Sequence, residues 1–137
     1  MNKVLQTVLL VDDDNACNFF NRRLLKNKHS ITQVQDARNG RDALAIIKQA
    51  ADANQPLPNL IFLDLNMPVM SGWEFLNEFK KLPDAVKQQV VIIILSSSIN
   101  PDDKARAKTY TEVAAYENKY LNDESLARII EEHFGIK

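Results

Sequence analysis

The chain of 137 residues has little of what marks several other classes of protein. Its one cysteine, Cys17, excludes an internal disulfide and favours a reducing compartment, so we expect a cytoplasmic location. The longest apolar run, residues 90–95, is too short to span a bilayer, and the N-terminus lacks the cleavage site of a signal peptide. The net charge is −1 and no stripe of Lys or Arg occurs, so nothing indicates nucleic-acid binding.

What is present fits one globular domain. The chain is 45% hydrophobic and 26% charged, which is the usual balance of a soluble protein and is enough for one full core. The length leaves no room for a second domain of useful size. We therefore expect a single domain over residues 1–137.

Apolar runs alternate with segments of helical periodicity along the whole chain. The runs that predict strands are residues 8–11, 31–37, 60–63, 90–95 and 113–116. The segments that predict helices are residues 15–26, 40–51 and 73–81, one helix beginning at Pro101 and one capped by Asn122. This βαβαβαβαβα order predicts an α/β fold, with a five-stranded parallel sheet covered by helices on both faces.

The helix after Pro101 has the fewest apolar residues. Between Asp102 and Tyr110 the chain offers only Ala105, Ala107 and Tyr110 for burial. We therefore expect this helix to be loosely packed.

Polar residues that can carry chemistry follow four of the five predicted strands. In open parallel sheets the carboxyl ends of the strands form the usual functional edge. The residues expected to meet there are Asp12, Asp13 and Asp14 after the first strand, Asp64 after the third, Ser96, Ser97 and Ser98 after the fourth, and Glu117, Asn118 and Lys119 after the fifth.

The charges of this cluster predict a divalent cation. Asp12, Asp13 and Asp64 contribute −3 and Lys119 contributes +1, which leaves about −2. Hard carboxylate oxygens suit Mg²⁺, which binds one or two carboxylates together with a phosphate. An aspartate beside such an ion can attack phosphorus and form an acyl phosphate. Each signal is weak alone, because Asp is also common in caps and turns, but the joint placement on four strand ends is specific.

Three motifs give the chain a family resemblance. The most specific is LIFLDLNMPVMSGWEFL at residues 60–76, and VLLVDDD near the start and ILSSS after the fourth strand agree with it. The chain resembles the CheY-like receiver domains of response regulators. The resemblance covers nearly the whole chain. It implies a doubly wound, flavodoxin-like (βα)5 fold with strand order 2-1-3-4-5.

The resemblance also implies roles for individual residues, with Asp64 as the phosphoacceptor. The metal ligands that it implies are Asp13, Asp64, the backbone carbonyl of Asn66 and, through water, Asp12. The residues that it implies for contacting or following the phosphoryl group are Ser96, Lys119 and Tyr116. Ser97 remains an alternative to Ser96, because the choice depends on where the apolar run ends.

One position departs from the family pattern. The family usually has proline after the lysine, in a cis peptide, whereas this chain has Tyr120 after Lys119. A cis bond before a non-proline residue costs about 3–4 kcal/mol, so the sequence favours a trans bond here.

The resemblance implies a single-domain response regulator without an output domain. It would accept a phosphoryl group from a histidine kinase or a histidine phosphotransfer protein and act on a downstream protein through an altered surface. It would not be a turnover enzyme, although slow loss of its own phosphoryl group is expected. Two alternatives are an unphosphorylated scaffold and an Asp-nucleophile phosphatase. The second commonly needs an acidic residue two positions after the nucleophile, where this chain has Asn66.

Overall fold

The computed structural model describes residues 4–28 and 30–136. Its centre is a sheet of five parallel strands in the order β2-β1-β3-β4-β5, which confirms the predicted topology. The strands are β1 (Thr7–Val11), β2 (Gln33–Ala37), β3 (Leu60–Leu63), β4 (Val91–Ser96) and β5 (Val113–Asn118).

The described residues form six helices rather than the five predicted. They are α1 (Asn15–Lys26), α2 (Gly40–Asp52), α3 (Gly72–Phe79), α4 (Asp84–Lys87), α5 (Pro101–Ala107) and α6 (Asp123–Phe134). The additional helix, α4, is a single turn that buries no residue, so it leaves no apolar period in the sequence.

The sheet separates two apolar layers. Strands β1, β3 and β4 are buried along their whole length, and alternate side chains enter opposite layers. One layer contains Leu9, Ile61 and Ile94 with the apolar faces of α2 and α3. The other contains Leu10, Phe62 and Ile93 with residues of α1 and α6. Helices therefore cover both faces, as the alternation of elements predicts.

The two helices around β5 differ in how much they bury. Helix α6 is capped by Asn122, as predicted, and buries Leu126, Ile129, Ile130 and Phe134. Helix α5 begins at Pro101 and, among its seven residues, buries Ala107 alone. The expectation of a loosely packed α5 is therefore confirmed.

The order of the strands fixes where function gathers. Strands β1 and β3 are neighbours, and the Asp64 N–H donates to the Val11 carbonyl at 2.9 Å just beyond the paired residues. The carboxyl ends of β1 and β3 consequently bring Asp12 and Asp64 together at the point where the order of strands reverses. Within the described ranges, no helix has the length and hydropathy needed to cross a membrane.

Candidate functional site

Three carboxylates and one ammonium group meet at the carboxyl edge of the sheet. One oxygen from each of Asp12, Asp13 and Asp64 lies within 4.8 Å of the others. The Lys119 Nζ lies 2.7 Å from Asp12 Oδ2 and 3.7 Å from Asp64 Oδ1. Asp12 and Asp64 are buried, whereas Asp13 is exposed. We call these four residues the acid pocket; they are the four that the charge count singled out.

Backbone contacts hold Asp12 in place. The Asp14 backbone N–H donates to Asp12 Oδ1 at 2.9 Å. The buried side-chain amide of Asn18 donates to the Asp12 backbone carbonyl at 2.9 Å. Asp14 itself caps α1 by accepting from Ala16 and Cys17. The first turn of α1 is thus tied directly to the end of β1.

The loop after β3 folds back tightly on Asp64. Asp64 Oδ1 accepts the N–H of Leu65 at 2.9 Å, and the Gly72 N–H donates to the Leu65 carbonyl at 2.9 Å. A Cβ at Gly72 would clash with the Asp64 carbonyl oxygen, so this approach requires glycine.

Burial and like charge set the electrostatics of the pocket. Burial, with the neighbouring Asp12 charge, raises the pKa of Asp64 to about 6, and Lys119 only partly opposes this. Burial alone would lower the Lys119 pKa. The hydrogen bond to Asp12 and the attraction of Asp64 and Asp12 outweigh burial, so the Lys119 pKa is raised and the amine stays charged.

Cys17 lies beside the acid pocket, in surroundings that disfavour its thiolate form. Burial, followed by the Asp12 charge, raises the pKa of its thiol to about 12. A protonated thiol is a poor nucleophile and a poor metal ligand. Cys17 is also buried, on the inner face of α1.

The donor set fits a hard divalent cation. Oxygens bound to one magnesium-sized ion stand up to about 4.2 Å apart, which is twice a ligand distance of about 2.1 Å. The three carboxylate oxygens, within 4.8 Å of one another, approach that spacing. A cation would also favour the ionised form of Asp64, which its surroundings disfavour.

The remaining predicted residues lie on β4, on β5 and in the loop after β3. Ser96 is the last residue of β4 and is 1% exposed, whereas Ser97 is exposed. Of the two candidate serines, Ser96 is therefore the one that ends the buried strand. Asn66 is exposed in the loop after β3. Tyr116 pairs with Ile94 in the sheet, and its buried hydroxyl has no hydrogen-bond partner among the described residues.

The predicted trans bond before Tyr120 is wrong, because the Lys119–Tyr120 peptide is cis. An isolated peptide bond before a non-proline residue favours the trans form. In the fold the Lys119 N–H donates to the Ser96 carbonyl at 2.9 Å, its ammonium contacts Asp12, and Leu121 is buried. These contacts fix the residues on both sides of Tyr120, and the peptide bond between Lys119 and Tyr120 adopts the cis form.

Sequence reasoning missed two buried asparagines beneath the pocket. Asn18 and Asn21 lie on the buried face of α1, and each has a side-chain oxygen without a partner among the described residues. The signal was their spacing from Leu25, at i, i+3 and i+7, which is that of a buried helical face. Because asparagine is polar, this spacing does not show up as an apolar period in the sequence.

Comparison with known proteins decides the family. The model of the response regulator receiver domain matches residues 8–131. The chain belongs to this family. It is 32% identical over 127 residues to the response regulator Rcp1 of Synechocystis sp., which covers 92% of this chain and 84% of Rcp1.

Solved structures agree with the family. A two-component response regulator from Cytophaga hutchinsonii is 30% identical, with a TM-score of 0.84 over 95% of this chain and 97% of that one. The phosphorylated cyanobacterial phytochrome response regulator RcpA is 34% identical, with a TM-score of 0.77 over 95% and 94%. The Mn²⁺-bound form of Rcp1 is 32% identical, with a TM-score of 0.72 over 93% and 92%.

Membership of the family settles the general role. Receiver domains take phosphoryl groups from histidine kinases and are generally not turnover enzymes. A divalent metal at the acidic cluster fits this role. Neither the scaffold nor the phosphatase alternative is favoured.

Proposed function

We propose that Asp64 accepts the phosphoryl group in a phosphorelay, from a histidine kinase or a histidine phosphotransfer protein. The observation that supports this is the acid pocket, in which a buried carboxylate with a raised pKa stands beside two further carboxylates and an ammonium group. Of the other two aspartates of the pocket, Asp13 is exposed, and Asp12 lies closer to the Lys119 ammonium, at 2.7 Å against 3.7 Å for Asp64.

The chemistry is a displacement at phosphorus. A carboxylate oxygen of Asp64 forms the new O–P bond while the N–P bond of the donor phosphohistidine breaks. The imidazole leaves with the electron pair and takes a proton from solvent. The Lys119 ammonium then lies where it can bind the transferred oxygens.

Mg²⁺ is the cation that we propose, held by Asp13, Asp64 and the backbone carbonyl of Asn66, with Asp12 acting through water. When bound, Mg²⁺ neutralises charge on the carboxylates and the phosphoryl oxygens. The chain's own contribution is to keep Asp12 and Asp64 fixed through Asn18 and Leu65.

The signal leaves through the face formed by α5, β5 and α6. When Asp64 is phosphorylated, Ser96 at the end of β4 and Tyr116 on β5 move inward. This movement alters the face that a downstream protein binds. We expect the acyl phosphate to be lost slowly through the domain's own action. We infer a cytoplasmic location, since a single cysteine forms no internal disulfide and suits a reducing compartment.

Intact-mass measurement after incubation with acetyl phosphate and Mg²⁺ tests the acceptor. We expect one phosphoryl adduct on the wild-type protein, none on Asp64→Asn, and none on Asp13→Ala. The matched control is Asp84→Asn, which removes an exposed carboxylate before β4 at the opposite end of the sheet and should label normally. An adduct that persists in Asp64→Asn would assign the acceptor elsewhere.

Lys119→Ala separates metal binding from transfer. It leaves a −3 cluster, so Mg²⁺ should bind no more weakly, while labelling slows because a cation on the transferred group is lost. Titration with Mg²⁺ and the labelling rate report the two effects. A collapse of metal affinity would show that the lysine supports the ion rather than the phosphoryl group.

A further inference from the structure

The Ser96 hydroxyl is held by the loop that follows it. Ser96 Oγ accepts the backbone N–H of Ser98 at 3.0 Å. A hydroxyl has one hydrogen to donate, and accepting from Ser98 leaves that hydrogen free. The contact therefore orients the Ser96 hydroxyl as a donor for another group, and any displacement of Ser96 acts on Ser98.

Ser98 in turn is bound to helix α5. Its Oγ donates to Asp103 Oδ2 at 2.6 Å, a short distance that is typical of a hydrogen bond to a charged acceptor. The same Oγ accepts the N–H of Asn100, the residue that caps α5. Ser96, Ser98 and the first turn of α5 thus form one hydrogen-bonded unit.

Helix α5 can follow a displacement because little holds its body. Ala107 is its one buried residue. Beyond that, Arg106 lies 4.3 Å above the Trp73 ring of α3, and Trp73 stacks on Tyr110 at 5.9 Å. Elements with few buried apolar contacts move at a low free-energy cost.

We propose that Ser98 and Asp103 are positioning residues that carry the displacement of Ser96 to helix α5. The inference rests on the proposed function, since phosphorylation of Asp64 is what draws Ser96 inward. Asp103 could instead act only as an acidic residue in the first turn of α5. Asp102 tests that reading, because it has the same charge in the same turn and its side chain makes no hydrogen bond or ion pair with any described residue.

The test compares labelling with the response of α5. Wild type, Ser98→Ala and Asp103→Ala, with controls Ser98→Thr and Asp102→Ala, are treated with Mg²⁺ and acetyl phosphate. Intact mass gives labelling; amide hydrogen exchange in α5 and Trp73 fluorescence give the response. We expect all five to label alike, because Ser98→Ala keeps the backbone N–H that holds Ser96. The label-dependent change in α5 should fall by about fivefold or more in Ser98→Ala and Asp103→Ala and persist in both controls.

A full response in Ser98→Ala and Asp103→Ala overturns the inference, as does an equal loss in Asp102→Ala. Failure of the wild type to label overturns the proposed function instead, and this inference with it. If Asp103→Ala frays α5 before labelling, Asp103→Asn decides, because it keeps the acceptor oxygen and should keep the response.

Discussion

The edge of the sheet that carries the acid pocket differs from the two layers beneath it in what its residues do for stability. In the layers, the residues of β1, β3 and β4 are buried among apolar neighbours, and each burial stabilises the fold. At the edge the chain buries Asp12, Asp64 and Ser96 and holds Val69 at a φ of 68°, a conformation that β-branched residues rarely adopt. The fold is thus stabilised in one region and strained or charged in the other, where the chemistry is.

The largest expected effect comes from the layers. Phe134 of α6 is buried, and Phe134→Ala should lower the free energy of unfolding by about 3–5 kcal/mol in a urea titration, because it leaves a cavity. The matched control is Phe19→Ala on α1, where the ring is 63% exposed and the change should be within about 0.5 kcal/mol. Similar losses in both would contradict the division between layer and surface.

Asp64→Asn, unlike Phe134→Ala, should raise the free energy of unfolding. The Asp64 carboxyl has an ordinary pKa of 3.8 when unfolded and a pKa of about 6 when folded, so between these values the folded chain binds more protons. Stability therefore falls as the pH rises through this window. Without metal, Asp64→Asn should raise the free energy of unfolding at pH 7 by about 1–2 kcal/mol, allowing for solvent screening, and the gain should vanish near pH 3.

Urea titrations across this pH range measure the effect. Asp84→Asn, which removes an exposed carboxylate, is the control and should change the free energy of unfolding at pH 7 by no more than about 0.5 kcal/mol. A destabilised Asp64→Asn at pH 7 would mean that its pairing with Lys119 outweighs burial.

The smallest effect is expected at Val69. This side chain is 70% exposed, so Val69→Gly loses little packing and relieves the left-handed conformation. After the entropy cost of glycine, the net gain in unfolding free energy should be about 0.5–1 kcal/mol, read as a rise in Tm. Val4→Gly, at an exposed valine without a positive φ, should be neutral or destabilising. If both changes destabilise alike, the strain at Val69 is negligible.

The sequence predicted the layers better than the edge. Helix α1 and strand β3 have the predicted bounds, because long apolar runs and clear periods depend mainly on burial. Phe20 shows the limit: its helical spacing from Cys17 and its apolar ring favour a buried position, yet it is 47% exposed, while Asn18 and Asn21 are buried. Residue type alone does not reveal which turn of a helix meets the sheet.

At the edge, the acid pocket was predictable because parallel strands bring their carboxyl ends together. The Lys119–Tyr120 bond was not, since its geometry depends on contacts between β4, β5 and the following loop. The Ser98–Asp103 contact was equally hidden, because a serine run beside a helix start looks like an ordinary loop and cap.

Gly72 is the position at which we expect the family motif to tolerate substitution least. Any larger residue there would place its Cβ against the Asp64 carbonyl oxygen and the Leu65 Cα, both of which are backbone atoms that no side-chain rotation can move away. In a library that varies every position, we expect Gly72 to accept no replacement, while exposed Val69, three residues earlier, accepts many. A position that tolerates no substitution and a position that tolerates many therefore lie within the same loop.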